Sequence, residues 1–157
     1  MARAPFQVLV LPFRRGPDGL AFAVFRRADG DGTLWQGLAG GGEDDETPEA
    51  AARREMGEEA GIDPAAALIA LPTKTLIPTD GWKGRQPWAD VLQAIPEHAF
   101  AVELATGVEP RLSDEHLEYR WLDFAAASAR LTWDGNRAAL AALRALLDGQ
   151  GDTHASR

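Results

Sequence analysis

The 157-residue chain contains no cysteine and only three histidines, His98, His116 and His154. The absence of cysteine excludes disulfides, thiolate metal sites and a cysteine nucleophile. The three histidines are scattered along the chain, which argues against a histidine-rich metal site. A bound metal ion would therefore need oxygen ligands, which hard cations such as Mg²⁺ prefer.

Positive charge is also scarce, because 16 lysines and arginines face 24 acidic residues and leave a formal net charge of −8. This balance argues against a protein that coats nucleic acid, but a divalent cation can still bridge an acidic site to a small phosphorylated substrate. The sequence has no apolar run of about 20 residues that could span a bilayer, and no apolar core of a secretory signal. We expect a soluble, cytoplasmic protein.

Hydrophobic residues make up 45% of the chain and charged residues 25%, which is the balance of a folded domain. Apolar runs at 6–13 and 20–25, joined by a Gly-Pro-Asp-Gly turn, predict a hairpin of two strands. Strand-like segments follow at 68–77 and 91–104, and the alternation over 117–121 predicts a half-exposed strand.

A long polar loop at 79–87 separates two of these segments, and loops of this length are often functional. Near the end of the chain, Asp134 can cap a last helix whose leucines share one face. We expect one domain over residues 5–148, followed by a frayed tail at 149–157. A single sheet between helices is the economical α/β architecture for such a chain.

The most informative segment is residues 40–62, GGGEDDETPEAAARREMGEEAGI. Thr47 as a cap and Pro48 at the first helical position predict that a helix begins here. Gly61 predicts the end of this helix after about Ala60.

Three glutamates of the predicted helix, Glu55, Glu58 and Glu59, are spaced so that their carboxylates share one face. Like charges placed in this way repel, and a hard divalent cation would offset the repulsion. The alternative is an acidic face that only contacts solvent. Two features favour the cation: Glu46 and Arg54 could pair and brace the loop against the helix, and the preceding glycines allow tight turns and close approach of a phosphate or metal.

The same segment resembles the Nudix box, a pattern of glycine, glutamate and arginine followed by spaced glutamates and a final glycine. It matches the box at every fixed position: Gly40, Glu46, Arg54, Glu55, Met56, Glu58, Glu59, Gly61 and Ile62. The resemblance implies the family's fold, an α/β/α sandwich with a mixed sheet. It also implies hydrolysis of a phosphoanhydride bond with Mg²⁺, or Mn²⁺ as a substitute.

The resemblance further implies a role for each of these residues. The metal ligands from the box would be the Gly40 carbonyl and the carboxylates of Glu55, Glu58 and Glu59. Glu115, outside the box, would join them by its resemblance to one branch of the family; the alternative is an ordinary solvated loop carboxylate. The same four glutamates would form the catalytic set, with Glu58 or Glu59 favoured as the general base and Glu115 as the distant alternative. Glu46 and Arg54 would be structural.

Outside the box, the chain is similar to the dihydroneopterin triphosphate pyrophosphatase branch of the family, at residues 34–37 and 115–123. The implied reaction is hydrolysis of dihydroneopterin triphosphate or a (deoxy)nucleoside triphosphate to pyrophosphate and the monophosphate. Arg26 and Arg27 are candidates for phosphate binding, and Trp35 could stack on a pterin or purine ring. The alternative for each of these three residues is an ordinary surface or packing role.

Two other functions stay open. One is hydrolysis of another nucleoside diphosphate compound, such as ADP-ribose or a dinucleoside polyphosphate. The other is a catalytically silent Nudix-fold module that only binds nucleotides. In each case we expect a small phosphorylated molecule as the partner, rather than a membrane or a nucleic acid polymer, and the sequence leaves the oligomeric state open.

Overall fold

The computed structural model describes residues 2–155 of the chain, and the side chains of residues 2–150. Within this range, one seven-stranded mixed sheet is packed between helices, so the predicted α/β/α sandwich is confirmed. The strands are β1 (Arg3–Gly16), β2 (Gly19–Arg27), β3 (Trp35–Gln36), β4 (Leu38–Glu43), β5 (Leu68–Pro78), β6 (Ala94–Glu103) and β7 (His116–Leu122). The helices are α1 (Pro48–Ala60), α2 (Phe124–Arg130) and α3 (Asp134–Ala155).

The central strand of the sheet is β1. It pairs in parallel with β6 on one side, and on the other side it pairs antiparallel with β4 along its first half and with β2 along its last residues. The strand order is β3-β2-β1-β6-β5, with β7 added to β2. Among the described residues, β4 has β1 as its single partner strand, so β4 leaves one edge unpaired.

Side chains of β1 alternate between two apolar cores, one on each face of the sheet. Val8 and Val10 pack with Met56 of α1, on what we call the α1 face. Leu9 and Leu11 pack with α2 and α3, on what we call the α3 face. This alternation is what a strand covered on both faces requires, and it explains why residues 6–13 form a nearly continuous apolar run.

The glycine run was wrongly predicted as a turn-forming segment ahead of the helix. Gly40, Gly41 and Gly42 belong to β4 instead, and none of the three has a positive φ. Glycine is needed there for space, because a Cβ on Gly40 would lie 2.2 Å from the Glu55 carboxyl carbon. A Cβ on Gly41 would lie 1.9 Å from Nε of Arg3.

Other departures from the sequence prediction concern short elements. The pattern did not indicate β3 or α2, because two residues and a short alanine-rich helix carry no clear apolar period. Asp134 is the first residue of α3 rather than its cap. The loop predicted at 79–87 includes a 3₁₀ turn, Asp80–Trp82, and a second such turn starts at its end, Pro87–Asp90.

The last helix extends beyond the predicted domain boundary. It continues to Ala155, through most of the segment that was predicted to be a frayed tail, and residues 156–157 lie outside the described range. No helix in the described part of the chain is both long and apolar enough to cross a bilayer.

An acidic residue is buried on the α3 face. Glu97 of β6 is 7% exposed and has no hydrogen-bond or ion-pair partner among the described residues. Burial without a compensating charge penalises the ionised form, and it raises the pKa of Glu97 to about 7 from an ordinary value of 4.5. The ionised carboxylate therefore weakens the fold at neutral pH.

We expect Glu97→Gln to stabilise the protein in a pH-dependent way. Because the folded-state pKa lies above the unfolded value, the protonated acid costs little at pH 4, and the penalty grows as the pH rises through 7. The variant should match the wild type at pH 4 and exceed it by about 3 kcal/mol at pH 8. Urea unfolding at both pH values measures this difference.

The matched control is Glu103→Gln, which changes an exposed glutamate on the same strand. It should leave the free energy of unfolding nearly unchanged at both pH values. A stability difference for Glu97→Gln that does not change with pH would contradict the assignment of the penalty to an ionised buried acid.

Candidate active site

Helix α1 is fixed at both ends by the signals that the sequence contains. The Thr47 hydroxyl accepts a hydrogen bond from the backbone N–H of Ala50 at 3.1 Å, and Pro48 occupies the first helical position. The helix ends at Gly61, whose φ of 65° is in the left-handed region that favours glycine. The caps fix the ends of α1, and the packing of its buried Ala51, Ala52 and Met56 on the sheet fixes which way its glutamates face.

The guanidinium of Arg54 joins α1 to the strand and loop that precede it. Its Nε and Nη2 donate to the two carboxylate oxygens of Glu46, each at 2.9 Å, so the predicted pairing is confirmed. Nη2 also donates to the carbonyl of Gly41 at 2.8 Å, and Nη1 donates to Glu55 at 2.9 Å. One side chain therefore connects β4, the connecting loop and the acidic face of the helix.

Two of the three helix glutamates are buried, and the third is not. Glu55 and Glu59 are 8% and 2% exposed, whereas the side chain of Glu58 is 62% exposed. Burial raises the pKa of Glu55 and, far more strongly, that of Glu59. The neighbouring carboxyl groups of Glu115 and Glu55 raise the pKa of Glu59 further.

The carboxyl cluster has the chemistry of a site for a hard divalent cation. Oε2 of Glu59 is fully enclosed and has no hydrogen-bond partner, and buried carboxylates without a partner are costly. The Glu55 carboxyl lies against the backbone of Gly40, in space that a Cβ would fill. The ligand atoms of Gly40, Glu55, Glu59 and Glu115 are oxygens, which is the ligand set that Mg²⁺ and Mn²⁺ accept.

The side chains do not converge fully. Among the described residues, no three acidic or histidine side chains are arranged as a complete metal site. One reason is that Glu58 points into solvent, with its carboxylate 3.4 Å from Nη1 of Arg54. Glu58 could join Glu55 and Glu59 as a ligand of the same cation only by turning away from Arg54.

The sheet brings Glu115 to this cluster from a distant part of the chain. The Glu115 carbonyl accepts a hydrogen bond from the N–H of Ala28 at 2.9 Å, at the end of β2, and its carboxyl group lies beside that of Glu59. Arg27 lies on the same side. Hydrogen bonds to Asp29 and the charges of Glu115 and Glu59 raise the pKa of Arg27.

The other two predicted substrate-binding residues lie elsewhere. Arg26 and Trp35 line an open pocket of about 720 Å³ on the α3 face, beside α2. The Trp35 ring is largely buried, and the guanidinium carbons of Arg120 and Arg130 lie 5.5 Å and 4.9 Å from its centroid. Arg26 and Arg27 are consecutive on a strand, so their side chains point to opposite faces. The structure therefore separates Arg27, near the carboxyl cluster, from Arg26 and Trp35.

The sequence interpretation missed two polar residues that stand in apolar strands. Gln7 lies in β1, within the predicted apolar run at 6–13, and Glu97 lies in β6, within the segment at 91–104 that was predicted only as strand-like. A single polar residue at a core position of a buried strand is the signal that could have identified them, because such residues need a partner.

Comparison with known proteins agrees with this geometry. A family model described as NUDIX domain matches residues 5–143. The chain belongs to the Nudix hydrolase family. It is 36% identical over 93 residues to an RNA pyrophosphohydrolase from Roseobacter denitrificans, which covers 54% of the Nudix chain and 58% of that relative. The chain is also 32% identical over 123 residues to an octanoyltransferase from Myxococcus xanthus, and this match covers only 32% of the length of that relative.

Two solved structures are similar to the Nudix chain over nearly its whole length. A NUDIX hydrolase from Listeria monocytogenes has a TM-score of 0.82 and 36% identity, covering 94% of this chain and 97% of that one. The Escherichia coli dihydroneopterin triphosphate pyrophosphohydrolase has a TM-score of 0.73 and 28% identity, covering 89% and 94%.

We expect Arg54→Lys to lower the free energy of unfolding by about 2 kcal/mol, because lysine cannot reproduce the two parallel bonds to Glu46 and the bond to Gly41. Urea unfolding at neutral pH measures the loss. Arg15→Lys, at an exposed pair with Glu103, is the control and should change stability by under about 0.5 kcal/mol. Equal effects of the two substitutions would show that Arg54 is an ordinary surface charge.

Proposed function

We propose that the chain hydrolyses a phosphoanhydride bond of a nucleotide-like triphosphate with Mg²⁺, releasing pyrophosphate and the monophosphate. The observation that carries this proposal is the pair of buried glutamates, Glu55 and Glu59, with Glu55 against the backbone of Gly40 and the exposed Glu115 carboxyl beside Glu59. The 28% identity to the Escherichia coli dihydroneopterin triphosphate pyrophosphohydrolase supports dihydroneopterin triphosphate or a (deoxy)nucleoside triphosphate as the substrate. We also propose that the enzyme acts in the cytoplasm on small molecules.

The residues that would hold the metal are the carbonyl of Gly40 and four carboxylates, those of Glu55, Glu58, Glu59 and Glu115. When bound, Mg²⁺ or Mn²⁺ neutralises phosphate charge and lowers the pKa of a bound water.

The chain's own residues have separate tasks in this reaction. The Glu58 side chain is 62% exposed, so it can reach a water molecule and accept its proton as the general base. The water oxygen forms a bond to phosphorus while the bond from that phosphorus to the pyrophosphate oxygen breaks. Arg27 lies close enough to bind a phosphate of the substrate, and Arg54 acts as a positioning residue that holds Glu55.

Two alternatives make different predictions. Hydrolysis of ADP-ribose or a dinucleoside polyphosphate uses the same glutamates but releases no pyrophosphate. A silent binding module would bind nucleotides without turnover. The similarity to an RNA pyrophosphohydrolase adds a triphosphorylated RNA end as a further test substrate, although the net charge of −8 is unfavourable for a polyanionic polymer.

We expect the wild type to release pyrophosphate from at least one triphosphate in the presence of Mg²⁺. The substrates to compare are dihydroneopterin triphosphate, the deoxynucleoside triphosphates, ADP-ribose, diadenosine tetraphosphate and a 5′-triphosphorylated RNA. Removing the base in Glu58→Gln should lower kcat by at least about 100-fold. Pyrophosphate and orthophosphate are assayed separately.

The matched control for this experiment is Glu49→Gln, an exposed glutamate in the first turn of the same helix, which should keep full activity. Folded wild-type protein that turns over none of these compounds with Mg²⁺ or Mn²⁺ would favour the binding module. Turnover of ADP-ribose or diadenosine tetraphosphate, with no pyrophosphate released from any triphosphate, would favour the nucleoside diphosphate alternative.

We also expect Mg²⁺ to raise the Tm of the wild type, because a ligand that binds only the folded state stabilises it by about 2.7 kcal/mol at 100 times its Kd. Glu59→Gln should abolish this increase by removing a carboxylate from the buried cluster. Glu49→Gln should preserve it. The proposed site would be wrong if differential scanning fluorimetry gave the same Mg²⁺-dependent increase for all three proteins.

A further inference from the structure

Three polar side chains form a line across the α3 face of the sheet, at the level of the glycine run. Gln7 of β1 is paired with Glu97 of β6, and Glu97 is paired with Thr75 of β5. Paired residues on neighbouring strands point to the same face, and the strands lie about 4.8 Å apart. We call Gln7, Glu97 and Thr75 the polar row. It continues the positions of Leu9 and Ala99, which belong to the core on the α3 face.

The polar row is bounded at both ends. Beyond Gln7, the Arg3 guanidinium packs on Gly41 and its Nη2 donates to Oε1 of Gln7. Beyond Glu97, the Thr75 hydroxyl lies against Gly135 in the first turn of α3.

The long loop between β5 and β6 closes over the Arg3 end of the row. The Arg3 guanidinium carbon lies 5.0 Å from the Trp82 ring centroid, and Nε1 of Trp88 donates to the carbonyl of Arg3 at 2.9 Å. The loop that the sequence predicted to be functional is therefore attached to the polar row rather than to the carboxyl cluster.

The row presents unused hydrogen-bonding groups in a fixed order. Because Oε1 of Gln7 accepts from Arg3, the amide nitrogen of Gln7 is left as a donor, and it has no acceptor among the described residues. Next to it, Glu97 offers two acceptor oxygens without a donor, and neither oxygen is fully enclosed. Glu97 is only 7% exposed, so its carboxylate is costly to ionise without a donor and favours a ligand that supplies one.

We propose that the polar row binds the 2-amino-4-oxopyrimidine edge that guanine and pterin share. The ring N–H and the amino group donate to the Glu97 carboxylate, and the ring carbonyl accepts from the amide nitrogen of Gln7. Hydrogen bonds to an ionised acceptor are among the strongest in proteins. Adenine and cytosine present a lone pair where Glu97 requires a donor, so the row excludes them.

The position of the row is compatible with the proposed hydrolysis, on which this inference rests for the phosphate end of the substrate. Gly40 and Gly41 are consecutive residues of β4. Gly40 faces Glu55 on the α1 face, and Gly41 faces Arg3 on the α3 face. The row and the carboxyl cluster are therefore separated by the thickness of one strand. Gly41 is paired with Gln7, so the phosphates of a ring bound at the row would pass the Arg3 guanidinium, which lies on Gly41, to reach the unpaired edge of β4.

The first test compares GTP with ITP, which differ only in the 2-amino group. The wild type should prefer GTP by about 10- to 100-fold in kcat/KM, mainly through KM. Glu97→Gln should reduce this preference to below about 3-fold, because an amide cannot accept two hydrogen bonds at these positions. Glu103→Gln is the control and should keep the preference. A GTP-to-ITP ratio that is unchanged in Glu97→Gln would overturn the proposal.

A second arm separates this inference from the proposed hydrolysis and distinguishes the two sources of the ring. Binding of GMP, IMP and neopterin to the wild type and to Glu97→Gln is measured by calorimetry, without turnover. If Glu97→Gln weakens the binding of GMP or neopterin at least 10-fold, ring binding by the polar row is supported, even if no triphosphate is hydrolysed. If triphosphates are hydrolysed but GMP and IMP bind with equal affinity, the proposed hydrolysis is retained and ring binding by the polar row is refuted. Whichever of GMP and neopterin binds more tightly shows whether the preferred ring is guanine or pterin.

Discussion

The arrangement of the site depends on one guanidinium, that of Arg54, which is bound on several sides by acceptors from separate segments. Three carboxylates on one helix face repel one another and would favour a different side-chain arrangement in isolation. Arg54 partly offsets that repulsion from within the helix, and it holds Glu46 and the carbonyl of Gly41 in place. The glycine strand, its connecting loop and the acidic helix are thus kept in one relative position before any ligand binds.

Buried carboxyl groups on both faces of the sheet lower the stability of the free protein. Glu55 and Glu59 lie on the α1 face and Glu97 lies on the α3 face, and burial raises the pKa of all three. Residues that destabilise the free protein in this way are typical of functional sites, where a ligand supplies the missing partner. The apolar cores on both faces provide the stability that such an arrangement requires.

What the sequence could predict was local. The helix, its caps, the shared face of Glu55, Glu58 and Glu59, and the pairing of Glu46 with Arg54 all follow from spacing within one short segment. The sequence also predicted the sandwich through its resemblance to the family. The contact between Gln7 and Glu97 depends on strand register across 90 residues of chain, which no local pattern encodes. The opposite faces of Arg26 and Arg27 were not foreseen either, although alternation along one strand is local and could have indicated them.

The alternation of Gly40 and Gly41 on a single edge strand has an evolutionary consequence. Groups that would cut the phosphate chain and groups that would recognise the ring are attached to different faces and mostly to different elements: α1 on one side, β5 and β6 on the other. Substitutions on β5 and β6 can therefore diversify selectivity while the acidic helix stays intact. An insertion or deletion of one residue in β4 would exchange its two faces, so the two proposed sites together constrain the length of this strand.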